Sequence, residues 1–213
     1  MHRLVLDLET GGLDPRKHAI MTLYMVIYTE DWVFLDELDL QLKPDKMDPS
    51  QYTQGALKVT GINLGEHLRD PKTLSYAEGR IKIMDFLQKH KISGKKCHYR
   101  PHGQNVTFDV NFLKFQELVP ESEYSKLIHH TVRDTFVFAE FLKEMNFLPD
   151  DMSTSLGALA EFYGIPPASY HNAKEDVGVT VKVYRAMIEH YTKDKNKALS
   201  GISDSILNVI EGR

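Results

Sequence analysis

Near its start the chain reads Leu-Val-Leu-Asp-Leu-Glu-Thr-Gly-Gly, residues 4–12. Residues 3–9 alternate, with Val5, Asp7 and Glu9 on one side and Leu4, Leu6 and Leu8 on the other, which is the pattern of a β-strand. Side chains two apart on a strand share a face, about 7 Å from one another. Two carboxylates so placed repel by roughly 2–3 kcal/mol at an effective dielectric near 20, and burial among aliphatics makes this worse. A divalent cation between them reverses the sign, and hard oxygen ligands suit Mg²⁺ or Mn²⁺. An isolated Asp-x-Glu more often just points to water, so the pair needs company to mean anything.

Two further acids supply it. Asp109 stands early in a helix that Asn105 or Thr107 could cap, just after a strand. Asp176 falls in the first turn of another helix, with Asn172 as N-cap and Glu175 three residues on, a variant of the capping box. His171 then lies just outside that helix, free to lean over the same site. On purely structural grounds Asp109 and Asp176 would merely favour the positive ends of helix dipoles, and His171 would be a loop histidine.

The rest of the chain supports an α/β protein with a sheet of mixed direction. Residues 20–29 and 32–43 are β-branched and aromatic and join at Glu30-Asp31 as a hairpin. Residues 56–63 make a short turn of helix ended by Gly61. Residues 73–90 predict a helix with Tyr76, Ile81, Met84 and Leu87 near one face. A strand follows in 95–103, then a helix over 107–119 with Phe108, Phe112 and Phe115 stacked. Residues 131–142 read as a short strand entering a helix that Asp134 caps, and 154–164 as a helix stopped by Gly164. Residues 172–191 form a long helix with Val177, Val181, Tyr184, Ile188 and Tyr191 on one stripe.

Taken together, the motifs resemble the DEDDh 3′–5′ exonucleases, the DnaQ-like family. "LDLETGGLDP" is similar to its first motif, "NVTFDVNFL" to its second and "YHNAKEDVGVT" to its third, in family order and spacing across about residues 3–190. The resemblance implies an RNase H-like fold with a central mixed five-stranded sheet flanked by α-helices. It also implies a metal-dependent nuclease releasing nucleoside 5′-monophosphates from single-stranded DNA or RNA. Two Mg²⁺ or Mn²⁺ ions would be held by Asp7, Glu9, Asp109 and Asp176, with His171 as general base. Thr10, Gly11, Leu13, Asn105 and Phe108 would meet the terminal nucleotide, the Gly11-Gly12 turn allowing close backbone approach. One departure is Gln104, where many members carry histidine. Partners expected on this reading are single-stranded 3′ ends and a polymerase or other replication or repair protein. An exoribonuclease of the ribonuclease T or oligoribonuclease type, and an inactive nucleic-acid-binding module, are the alternatives.

Composition narrows the setting. With 213 residues, the chain is expected to form one domain over 1–191 and a helical tail over 192–213, where Ile202, Ile206 and Val209 recur at helical spacing. The closing Ile-Glu-Gly-Arg matches a commonly engineered protease site and is left out of the functional reading. The lone Cys97 cannot form an internal disulfide, which points to a reducing cytoplasm, and no signal peptide or membrane-spanning run is visible. The net charge of −4 gives no global hint of nucleic-acid binding. The stretch "HKISGKKCHYRPHG" (90–103) is basic and aromatic enough to steer a phosphate backbone, or to be a solvated loop. The single Trp32 is expected in the core rather than as a stacking platform.

Overall fold

A computed structural model describes residues 1–166 and 172–210, with residues 194–210 as helical backbone only. Its centre is a six-stranded sheet in the order β4-β3-β2-β1-β5-β6. The strands are β1 His2–Thr10, β2 Ile20–Tyr28, β3 Phe34–Lys43, β4 Thr73–Ser75, β5 Tyr99–Gly103 and β6 Arg133–Asp134. β1, β2 and β3 form an antiparallel meander, whereas β4, β5 and β6 add in parallel. Eight α-helices are seen among the described residues: α1 Gln54–Thr60, α2 Leu64–Arg69, α3 Tyr76–Lys89, α4 Thr107–Phe115, α5 Glu121–Leu127, α6 Thr135–Glu144, α7 Leu156–Phe162 and α8 Ala173–Ile210.

The alternation of β1 divides the core. Leu4, Leu6 and Leu8 enter the larger cluster with Ile83, Phe86 and Leu87 of α3 and Phe112 and Leu113 of α4. Val5 faces the other way, onto Ala173, Val177 and Val181 of α8. The other flank of α8 carries Val179, Val183 and Met187 into a third cluster with Ala139 and Leu142 of α6 and Leu159 and Ala160 of α7. Helix α8 is therefore wedged between the sheet and a helical pair, and each fully buried Leu or Val adds about 1.5–3 kcal/mol to hold it there.

Several expectations are corrected. The sheet has six strands rather than five, because Thr73–Ser75 pairs with Gln41–Lys43 instead of opening a helix. The helix begins at Tyr76, where Ser75 and Glu78 form a capping box. Its buried face is Tyr76, Gly79, Ile83, Phe86 and Leu87, while Ile81 is 63% exposed. Gly79 fixes that face, since a Cβ there would lie 2.4 Å from Leu42. Phe108 and Phe112 do pack together, their ring centres 4.8 Å apart but tilted by 48° rather than stacked. Phe115 does not join them; α4 ends there and Arg16 lies over its half-exposed ring. On α8, Ile188 is partly exposed, and the backbone runs through residue 191 without a break to Ile210. Trp32 is half-buried at the edge of the β1–α8 cluster, in the left-handed region at φ 63°. The side chains of Ile202, Ile206 and Val209 lie outside the described residues.

Candidate active site

Asp7 and Glu9 lie on the α8 side of β1, near its C-terminal end. Asp176 reaches them from the first turn of α8, which Asn172 caps by accepting N–H bonds from Lys174 at 3.0 Å and Glu175 at 3.4 Å. One carboxylate oxygen from each of Asp7, Glu9 and Asp176 lies within 4.8 Å of the other two. Asp109 comes from the first turn of α4 and is 3% exposed. Its Oδ1 accepts the backbone N–H of Leu8 at 3.1 Å, which ties α4 to β1 between Asp7 and Glu9.

Neither Asn105 nor Thr107 caps α4, whose N-cap position is Val106 with no side-chain bond of its own. The work falls to Asp134. Its carboxylate accepts the N–H groups of Asn105 at 2.8 Å and Val106 at 2.9 Å, and also caps α6 through Phe136 N at 2.9 Å. Asn105 itself is exposed, in the left-handed region at φ 54°.

The electrostatics follow from the crowding. Burial, then Asp109, Glu9 and Asp176, hold the Asp7 carboxyl well above the ordinary range. Burial and Asp176 push Glu9 up to about 7. Asp109 is also raised, by burial first and then by Asp134 and Glu9, against the opposing pull of its backbone hydrogen bonds. Asp7 and Glu9 make no ion pair among the described residues. The donor set is all hard oxygen and carries excess negative charge. These residues fit a divalent cation.

Two pockets flank the cluster. One, of about 580 Å³, is lined by Leu8, Glu9, Thr10, Leu13, His18 and Phe108, with α1 across from them. The other, of about 940 Å³, is bounded by Asp7, Gln104, Asp176 and residues of α7 from Leu156 to Glu161. Leu13 is 83% exposed at the first pocket's rim. Thr10 is buried and its Oγ1 donates to Gly12 O at 2.8 Å. Gly11 serves a different close approach from the one expected. Its O accepts Thr53 N at 2.7 Å, and a Cβ on it would sit 2.2 Å from Gln51 O, so its missing side chain admits the chain itself. Asn105 lines neither pocket. His171 lies outside the described residues.

The exonuclease family model of RNase T type matches residues 4–184. The chain belongs to this exonuclease family. It is 27% identical over 206 residues to the PolC-type DNA polymerase III of Thermotoga petrophila, covering 94% of this chain and 13% of that protein. It is 24% identical to the oligoribonuclease of Hahella chejuensis, over 88% of this chain and 93% of that one. Among solved structures, E. coli exonuclease I in complex with a dT13 oligonucleotide aligns with a TM-score of 0.67 at 19% identity, covering 94% of this chain and 43% of that one. The chain thus spans only a small part of the PolC-type relatives and under half of exonuclease I. This similarity establishes the RNase H-like fold.

Within an exonuclease framework, three features had little signal in the sequence. Gln104 donates through Nε2 to Thr154 O at 2.9 Å and accepts from Thr135 Oγ1, so it ties β5 to α6 and to the segment before α7. His18 closes the loop after β1, with Nδ1 accepting Asp14 N at 2.9 Å and its ring against Gly12. Asp134 was legible as a cap for α6, but its hold on α4 depends on a contact 28 residues away.

Proposed function

We propose that the chain is a divalent-metal-dependent 3′–5′ exonuclease of the DEDDh kind. It removes nucleoside 5′-monophosphates from single-stranded DNA or RNA. The observation that carries the reading is the convergence of Asp7, Glu9 and Asp176 between two pockets, with Asp109 directly behind them. The family supports nuclease chemistry. The presence of all four acids speaks against an inactive binding module.

Asp7, Glu9 and Asp176 are the residues that would hold a divalent cation, with Asp109, tied to Leu8 through Oδ1, as the fourth acid beside them. A bound cation of this type supplies a water of lowered pKa and offsets charge on phosphate oxygens. His171 takes the proton of the attacking water, a role suited to imidazole near neutral pH. Phe108 and Leu13 contact the terminal base, and Thr10 shapes the floor beneath it. The near end-to-end match to an oligoribonuclease favours a second substrate reading, short RNA rather than DNA.

The test is digestion of matched 3′-labelled single-stranded DNA and RNA with Mg²⁺ or Mn²⁺. Mononucleotide release is expected with metal and none in excess EDTA. Asp7→Asn should abolish it while leaving the fold intact. His171→Ala should lower turnover by about 10²–10⁴-fold with little change in metal affinity. Full activity in EDTA would sink the metal reading, and collapse of metal binding in His171→Ala would make that residue a ligand instead. Faster turnover of RNA than DNA would select the oligoribonuclease-like substrate.

A further inference from the structure

Three arginines share the sheet face that carries Asp7, at its opposite end. Arg3 of β1 is the register partner of Arg100 on β5, and Val5 is the partner of His102. His102 in turn is the partner of Arg133 on β6, so alternation places Arg3, Arg100 and Arg133 on one face across three adjacent strands. Arg3 precedes Asp7 by four residues, or about 13 Å along the strand.

The three are not equivalent. Arg3 is fully engaged. Its Nε and Nη2 donate to Glu30 O at 3.1 and 2.8 Å, its Nη1 contacts His102 Nε2 at 3.1 Å, and its guanidinium lies 4.2 Å from the centre of the Trp32 ring. His102 Nδ1 donates to Arg100 O at 2.9 Å, which leaves Nε2 as the acceptor for Arg3 and the imidazole neutral. Arg100 and Arg133, by contrast, make no side-chain hydrogen bond or ion pair among the described residues. Arg100 Nε is sealed from solvent with no partner. The Tyr184 ring packs on His102 at 5.5 Å, and its phenol is within electrostatic range of all three guanidinium groups. The acids in range are Glu30 and Asp31, both on the β2–β3 turn.

A half-buried cluster of positive charge with unmade donors is the complement of an oxyanion, and the planar guanidinium fork suits phosphate in two-point contact. Arg133 is exposed and β6 is the outer strand, so the cluster opens at the sheet edge rather than through the catalytic cleft. Beside it, His129 and the exposed His130 stack at 4.3 Å, and His129 is within range of Arg100 and Arg133. Flat rings next to a phosphate clamp favour a polynucleotide over an acidic peptide, because every base has a face to stack. The basic stretch 90–103 contributes Arg100 and His102 to the cluster; Lys91, Lys95 and Lys96 are exposed on the preceding loop.

We propose that Arg100 and Arg133, backed by Arg3 and Tyr184, bind two neighbouring backbone phosphates, one each, of the nucleic-acid strand several nucleotides upstream of the end being cleaved. The proposal rests on the exonuclease reading above. It requires that the strand pass around α8, so only longer strands reach the site.

The experiment is binding by fluorescence anisotropy in EDTA, where no cleavage occurs, with labelled oligothymidylates of 3 and 20 nucleotides. For Arg100→Gln/Arg133→Gln, affinity for the 20-mer should fall about tenfold relative to the 3-mer. The slope of log K against log salt for the 20-mer should become shallower by about 1.4, or 0.7 for each phosphate charge that an arginine no longer neutralises. Equal loss on both lengths, or no loss, would overturn the proposal. So would arginine-dependent binding of a decaglutamate peptide without effect on the 20-mer, which marks a peptide site. Arginine-dependent binding of thymidine 5′-monophosphate alone, again without effect on the 20-mer, would overturn it in favour of a free-nucleotide site. Thermal melts check the fold, and if the double variant does not fold, the exposed Arg133→Gln carries the test with a slope change of about 0.7. Because binding is read without metal, absence of nucleolysis in Mg²⁺ would count against the exonuclease reading alone.

Discussion

Glu9 sets how the metal-free protein should respond to pH. Its folded pKa of about 7, raised by burial and Asp176, lies above the ordinary 4.5. Between those values the folded chain holds a proton that the unfolded chain has released, so stability falls as pH rises and levels off above about 7. Buried His102, pushed down to about 4 mainly by burial, acts oppositely and adds stability as pH rises toward 6.5. A comparison with Glu9→Gln removes that shared contribution. Without metal, Glu9→Gln should match wild type near pH 5 and exceed it by about 2 kcal/mol at pH 8 in urea melts. Saturating Mg²⁺ should reverse the order, since only the wild type has its full ligand set. A difference that stays flat with pH would show that Glu9 is ionised at no cost. Asp7 and Glu9 alone would have said little; Asp109 and Asp176 at two helix starts, in the order of three motifs, made the cluster legible, and Asp7, Glu9 and Asp176 do converge. Gly11 was only half legible: glycine signals close approach, but not whether the visitor is a nucleotide or, as here, the Gln51 carbonyl.

At the level of elements, the site depends on how α4 is held. Asp134 receives two N–H groups from the β5–α4 turn and one from α6, and three residues into α4 Asp109 bonds back to β1. Asp134→Ala leaves those donors without an acceptor and should cost about 3 kcal/mol of stability. Turnover should fall with it, because Asp109 loses its fixed start. Asp134→Asn keeps one acceptor oxygen and should recover part of both. If chemical denaturation showed a loss below about 0.5 kcal/mol, Asp134 would not be positioning α4. Strands and helices with strong periodicity were plain in the sequence, and so was the hairpin. The short strand Thr73–Ser75 was not, because three residues show no period and their pairing with β3 spans 32 positions. The face of α3 was misread for a related reason. Apolar residues flank it on both sides, and only the close contact of Gly79 with Leu42 selects Ile83 over Ile81.

The whole molecule places its carboxylates beside two pockets, Glu9 lining one and Asp7 and Asp176 the other. The sequence indicated the cluster but not the pockets, since α1 and α7, which line them, are brought beside the acids only by tertiary packing. The pocket at Leu13 and Phe108, about 580 Å³, is within the range for a single small ligand. On the exonuclease reading it takes the terminal nucleotide of the strand, beside Leu13 and Phe108. A paired 3′ terminus must therefore unstack before its last nucleotide can enter, at a cost of a few kcal/mol for each pair opened. Every 1.4 kcal/mol of that cost is tenfold in rate. Single-stranded ends should consequently be degraded at least about tenfold faster than blunt duplex ends, with a 3′ mismatch between the two. Sequence preference should be weak, because Leu13 and Phe108 offer apolar contact that any base can use. Phe108→Ala should narrow the gap between the substrates by slowing the single-stranded reaction more. Time courses on strands labelled at either end decide the matter. Release from the 5′ end, or equal rates on single-stranded and blunt substrates, would mean that the pocket does not receive an unstacked 3′ nucleotide.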